Sequence, residues 1–453
     1  MTLIPSRAAA APDELAWQER VWASIAERGR AYARVPAASL EALERVRQLA
    51  KALVSERGEA SGAAVARELQ GALAALNREE RLEFFRFLVR EFVPDRERVR
   101  RAADAYLTDP SPEHATELAA AADPPRQEVL RRMNLSPGGT ATLVKLREEL
   151  LPRLREEPGL RPLDKDLHHL LSSWFNPGFL ALRRIDWQTP AAILEKLIDY
   201  EAVHEIQGWD DLRRRLAPDR RCFAFFHPGL PGEPLIFVEV ALVQGLASSV
   251  QPLLARDTDE AAQRQREAQA DTAIFYSISN CQAGLRGVSF GNFLIKQVVE
   301  ELKAELPRIK QFSTLSPVPR FRRWLEGRLG SPERQSGSDA LDLATLSSED
   351  WWQDPARAET LRLPLIGLCA AYLTAYNDGK GPSDPVARFH LGNGARLERI
   401  NWLGNTAPRG IRESYGIMVN YLYDLDTIEA NHESFVRGEV VRSGRVESLL
   451  EQL

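Results

Sequence analysis

Two hydrophobic rhythms divide the chain. Up to about residue 176, apolar positions recur every three or four residues in segments rich in Ala, Leu, Glu and Arg, punctuated by proline and glycine. That is the pattern of short amphipathic helices. Leu82, Phe85, Leu88, Val89 and Phe92 form one stripe, opened by Asn77-Arg78-Glu79-Glu80 and closed by Pro94; the opening is a capping box with Asn in place of Ser or Thr. Asp95 begins another helix, in which Val99, Ala102, Ala103, Tyr106 and Leu107 share a face, and Ser111-Pro112 supplies the N-cap and first-turn proline of the next. Two further helices, over about 125–134 and 140–151, flank the turn Ser136-Pro137-Gly138-Gly139. Short helices on short connections predict a compact all-α bundle over 1–176.

Past Asn176-Pro177-Gly178, β-branched and aromatic runs take over: 222–226, 235–243, 272–278 and 309–314. A helix is expected from about Asn292 to Leu306, where Phe293, Ile295, Val298, Val299 and Leu302 fall near helical spacing. Strands mixed with helices after an all-helical half predict an α+β chain whose second domain covers 177–453. The stretches 330–345 and 377–385, dominated by Ser, Gly, Asp and Pro, predict exposed loops.

The first candidate chemistry lies between the last two runs. Gly284, Gly287 and Gly291 share one turn after a strand and before a helix, where a close-approaching backbone and unpaired helix N–H groups suit a phosphate. The spacing matches neither the dinucleotide fingerprint nor the P-loop. Gln282-x-x-Gly-x-x-Gly resembles instead the pyrophosphate loop of the acetyltransferase fold, although taken alone such a turn is more often a flexible strand-to-helix connection. After the helix comes Leu315-Ser316-Pro317-Val318-Pro319, in which the prolines hold Ser316 extended at a strand end.

Longer motifs sharpen the picture. SISNCQAGLRGVSFGNFLIKQVVEEL, FSTLSPVPRFRRWL and FHLGNGARLERINWLGNTAPRGIRESYGIMVNY resemble malonyl-CoA decarboxylases, and upstream stretches beginning LRRIDWQTP and DRRCFAFFHPG extend the likeness in the same order. The resemblance covers about the last three-fifths of the chain. It implies a helical oligomerisation domain over 1–176 and an acetyltransferase-like (acyl-CoA N-acyltransferase) mixed α/β catalytic domain over 177–453. The implied reaction turns malonyl-CoA into acetyl-CoA and CO2, in a homotetramer, with no cofactor beyond the coenzyme A of the substrate. By position in the motifs, Ser316 and His390 match the catalytic pair, and Arg286, Gly287, Val288, Ser289, Phe290, Gly291 and Asn292 the substrate loop. Tyr423, Asn393 and Asn401 are the expected partners behind the histidine. The chain departs from the pattern at Ser289, where animal members carry an acid, and at Arg320, where a glycine is common. Without the resemblance, His390 between Phe389 and Leu391 reads as an ordinary core histidine.

Composition removes other classes. The 453 residues suffice for two or three domains, and a net charge of −5 offers no basic field for nucleic acid or an anionic membrane. Cys222, Cys281 and Cys369 are too dispersed for a disulfide framework or a thiolate metal site, and the histidines lack ligand spacing. No apolar run is long enough to span a bilayer. Asp13, Glu14 and Glu19 argue against a leader, and the chain ends Glu451-Gln452-Leu453 rather than in a peroxisomal tripeptide, so a cytoplasmic location is expected. Two rivals use the same ligand cradle: an acyltransferase, which needs an acceptor, and a non-catalytic acyl-CoA sensor. A serine hydrolase is disfavoured because no G-x-S-x-G elbow surrounds Ser316.

Overall fold

The structure is a computed structural model that describes Ser24 and residues 40–55, 59–288, 290, 293–329, 346, 350–375 and 381–452. Ser289, Gly291, Asn292, the expected loop 330–345, and residues 377–380 of the other expected loop with Tyr376 lie outside the described residues. The chain divides into two compact units, the first comprising 1–181 with 226–235 and 282–290, the second 182–225, 236–281 and 291–453. These units differ from a division at 176 over 177–181, 226–235 and 282–290. The glycine turn 282–290 belongs with the helices, because Gly284 packs directly on the helix Gly139–Leu150: a Cβ there would lie 2.0 Å from the carbonyl oxygen of Val144.

In the first unit the expected helices form. Asn77 caps Arg78–Glu91 by accepting from the N–H groups of Glu79 (2.9 Å) and Glu80 (3.0 Å), while the Glu80 carboxylate accepts from the Asn77 N–H at 2.8 Å. Its stripe reaches the core through Leu82, Phe85 and Leu88, which pack with Leu49, Leu69, Met133, Leu143 and Leu167. Arg96–Thr108 differs from expectation: of its presumed inner face only Ala102 is buried, and Leu107 is 79% exposed. Among the described residues this helix has one main neighbour, Pro112–Ala122, which itself buries only Ala121.

The second unit is built on eight strands: β1 (Ala181–Ile185), β2 (Arg220–Phe226), β3 (Pro234–Val243), β4 (Thr272–Asn280), β5 (Gln311–Thr314), β6 (Ser316–Pro317), β7 (Arg396–Asn401) and β8 (Met418–Tyr423). Their order is β1-β2-β3-β4-β5-β8-β6, with β7 on the other edge of β8. The middle strands carry unbroken apolar runs because both faces are covered, and β2 is buried at every position. β4 pairs antiparallel with β3 and parallel with β5, joined to β5 through the helix Phe293–Glu305.

That parallel ladder has a definite end. The N–H groups of residues 311 and 315 donate to the carbonyls of Asp271 (3.2 Å) and Phe275 (2.9 Å), so odd-numbered positions face β4. The next two, Pro317 and Pro319, have no N–H. The chain consequently leaves β4 and stays with β8, Ser316 opposite Val419 and Pro317 opposite Met418, while β4 continues along β3 as far as Asn280. The two strands part beyond Leu315.

Candidate active site

The gap between the parted strands is a cleft of about 350 Å3, walled by Tyr276–Ile278 of β4 on one side and Leu315–Pro317 on the other. The helix Pro385–Gly392 closes it with Pro385, Val386, Phe389 and His390. This helix starts where an exposed loop was expected to end. Asp384 is fully buried and caps the helix, accepting from the N–H groups of Val386 (2.9 Å) and Ala387 (3.0 Å). Capping fixes the first turn and therefore the direction of His390.

Ser316 and His390, 74 residues apart, meet here: Ser316 Oγ lies 3.1 Å from His390 Nε2. Ser316 also donates to Thr314 Oγ1 at 2.9 Å, and on the far side of the imidazole Nδ1 lies 2.8 Å from the Tyr423 hydroxyl. Burial pushes the Tyr423 phenol far up and His390 down to about 3, so both are neutral in the free protein. The proton positions follow from satisfying every buried donor. Tyr423 has no other described acceptor, so its O–H donates to Nδ1; the ring proton then sits on Nε2 and is donated to Ser316, whose own proton goes to Thr314. The ring of Tyr421 stacks on the imidazole, centroids 4.8 Å apart. One hydrogen-bonded line thus leads from β8 through the histidine to the serine at the cleft.

Tyr423→Phe removes the group that selects this tautomer. It is expected to lower kcat roughly tenfold with little change in KM; unchanged kcat in steady-state assays would remove Tyr423 from the line.

The other expected partners act at a distance or not at all. Asn393 ends the histidine's helix, its side chain donating to the Phe389 carbonyl at 2.7 Å, and does not reach the imidazole. Asn401 donates to Asn420 (2.9 Å), and Asn420 holds the Thr314 carbonyl (2.7 Å). Arg399 and Arg409 are taken up by the carbonyls of Leu246 and Ala202. No arginine or lysine lines the cleft among the described residues.

The substrate loop is described in part. Arg286 and Gly287 are exposed, Val288 and Phe290 buried, and Gly287 has φ +83°. Its carbonyls are turned inward: buried Arg147 donates to the oxygens of Gly284 (2.7 Å) and Arg286 (2.8 Å), and His168 Nε2 lies 3.0 Å from that of Gly287. Withdrawing carbonyl oxygens from an exposed turn removes the groups that would repel an anion. Arg147 and Thr314 were not identifiable from sequence, since no local pattern ties a helix arginine to a turn 137 residues away. Glu201 was missed for the same reason. It accepts from Ser277 (2.8 Å) and Ser279 (3.1 Å) of β4, and Ser277 lines the cleft.

Comparison with known proteins gives the family. Residues 178–453 match the profile of the malonyl-CoA decarboxylase C-terminal domain. The chain belongs to the malonyl-CoA decarboxylase family. It is thereby a member of a family of carboxy-lyases. Residues 92–175 match the family's N-terminal domain. The mitochondrial malonyl-CoA decarboxylase of the goose Anser anser anser is 42% identical over 323 residues, 66% of this chain and 64% of the goose protein, a little under two thirds of that relative's length. The mouse mitochondrial enzyme is 38% identical over 70% of this chain and 69% of its own. Among solved structures, the malonyl-CoA decarboxylase of Rhodopseudomonas palustris is 50% identical with a TM-score of 0.83, covering 90% of this chain and all of that one. That of Agrobacterium vitis is 50% identical with a TM-score of 0.82, over 89% of this chain and 99% of its own. No helix among the described residues is long and apolar enough to cross a membrane.

Proposed function

We propose that this chain decarboxylates malonyl-CoA to acetyl-CoA and CO2, with Ser316 and His390 as its catalytic pair. The observation that carries this reading is the 3.1 Å contact between Ser316 Oγ and His390 Nε2 at the mouth of the splay between β4 and β6. When the bond to the carboxylate breaks, its electron pair moves into the thioester carbonyl, giving an enolate, and CO2 departs. Ser316 donates a hydrogen bond to the enolate oxygen. A proton then passes from His390 Nε2 by way of Ser316 to C2, the enolate electrons forming the new C–H bond.

The balance requires one proton per turnover, which a neutral imidazole does not hold in reserve. A malonyl carboxylate brought beside Nε2 raises the affinity of the ring for a proton. Tyr423, a donor to the neutral ring, can turn its hydroxyl to accept from the imidazolium's Nδ1–H. The apolar walls, Ile236, Phe275, Ile278, Leu315 and Val386, leave the carboxylate without a countercharge other than that imidazolium, which favours dispersing its charge into the enolate. Binding of a malonyl-CoA analogue that is not decarboxylated is therefore expected to take up a proton from solution near neutral pH. Calorimetry in two buffers of different ionisation enthalpy measures it, and equal heats would contradict the coupling.

No metal or organic cofactor enters this scheme, because the thioester is itself the electron acceptor. The loop 286–292 is assigned to the coenzyme A moiety. A cytoplasmic location and a homotetramer complete the reading; the latter draws support from the sparsely buried helices Arg96–Thr108 and Pro112–Ala122, with Leu107 exposed. Incubation of the pure protein with malonyl-CoA, without acceptor or metal, tests the activity. Release of CO2 and acetyl-CoA in equal amounts is expected. Turnover only with an added amine or alcohol would indicate an acyltransferase, and binding without turnover a sensor.

A further inference from the structure

A second cavity, of about 490 Å3, lies at the opposite end of β3 and β4 from the cleft. Its wall includes Leu242 and Val243, which pair with Ala273 and Thr272 at the start of β4, whereas the cleft takes in Ile236 and Asn280 at the other end. Its charges do not balance. Arg214, Arg220, Arg256 and Arg266 line it against Asp219 and Asp257.

One buried carboxylate serves three of these guanidinium groups. Asp219, 1% exposed, lies 2.7 Å from Arg214 Nη1, 3.1 Å from Arg220 Nη1 and 2.9 Å from Arg266 Nε. Asp257 pairs with Arg266. Arg256 makes no ion pair among the described residues, and the nearby Glu267 is engaged by Arg221 at 2.6 Å. Arg220 is 4% exposed, and its Nε is buried with no acceptor. Repulsion from Arg214 and Arg266 adds to burial in making its charge costly. The surplus charge is open to solvent, since Arg256 is exposed and the Arg266 side chain is 44% exposed, and so is available to an incoming anion, while the orphaned Arg220 Nε is a buried cost that such an anion could relieve.

We propose that this cavity is a binding site for a small organic phosphate, whose dianionic head is held by Arg220, Arg256 and Arg266. Guanidinium forks match phosphate oxygens two at a time. The volume lies within the ~300–1,000 Å3 typical of small-molecule sites, which leaves room for a carbon skeleton beyond the bare ion. The phosphate supplies the acceptor that Arg220 Nε lacks and neutralises the excess charge. Nothing in this assignment depends on the chemistry at Ser316 and His390.

Calorimetry on the full chain tests it with two probes, inorganic phosphate and glycerol 3-phosphate, against sodium chloride at matched ionic strength. Saturable binding of both is expected, the ester more tightly. Arg256→Glu, at an exposed position, is expected to weaken both by at least about tenfold while leaving malonyl-CoA turnover unchanged. Arg220→Met tests the buried donor, and should it fail to fold, the Arg256→Glu result decides alone. Absence of saturable binding, or binding that Arg256→Glu leaves intact, would overturn the site; binding of phosphate but not of the ester would overturn its assignment to an organic phosphate.

Discussion

Replacing His390 with alanine is expected to lower kcat for malonyl-CoA by roughly two orders of magnitude or more, about 3 kcal/mol of transition-state stabilisation. Among the described residues that line the cleft, the imidazole is the group that can take up a proton once a carboxylate lies beside it, with Tyr423 able to accept from Nδ1–H of the charged ring. KM is expected to change little, because the loop proposed for coenzyme A does not include His390. Truncation leaves the buried Tyr423 hydroxyl without its described partner and Ser316 with Thr314 alone, so some stability is lost as well. His390→Gln, which keeps a polar side chain there, should fold more stably and be equally inactive. A circular dichroism melt beside steady-state kinetics separates the two effects. Near wild-type turnover in a folded variant would remove His390 from the mechanism.

Ser316→Ala carries the second large effect, a fall in kcat of about the same size. The hydroxyl touches Thr314, His390 and the cleft together, and alanine supports neither the hydrogen bond to the enolate nor the path to C2. Because serine and histidine act in series, the double variant should be little slower than either single one. Multiplied losses in the double variant would show two independent contributions instead.

The legibility of the fold follows from how local each signal is. Asn77 with Glu80, and Ser111 with Pro112, state their helix starts within four residues, and both caps form as written. The end of the parallel ladder was also local, since two prolines at alternate positions deny β4 its donors. By contrast, β7 and β8 were not recognised as strands. β7 (RLERIN) mixes charge into its alternation, and β8 (MVNYLY) is buried on both faces, so neither shows a clean two-residue period. That omission matters because β8 carries Tyr421, Tyr423 and Asn420, three residues that surround or support the proposed catalytic pair.

The pair itself was named through family resemblance, not through pattern. A lone histidine between Phe389 and Leu391 has no sequence signature of catalysis. What distinguishes it is a serine brought in by the strand that parts from β4 and a tyrosine brought in by β8, both set by long-range topology. Leu107 erred in the other direction: periodicity put it on an inner face, but its helix has too few neighbours to cover it.

The most direct measurement is a structure with a malonyl-CoA analogue whose thioester sulfur is replaced so that the carboxylate is retained. The account requires the analogue's carbonyl oxygen or carboxylate within hydrogen-bonding distance of Ser316 Oγ, about 3 Å, with His390 Nε2 next in line. A malonyl group bound away from the gap between β4 and β6, with Ser316 and His390 still paired and untouched by ligand, would contradict it.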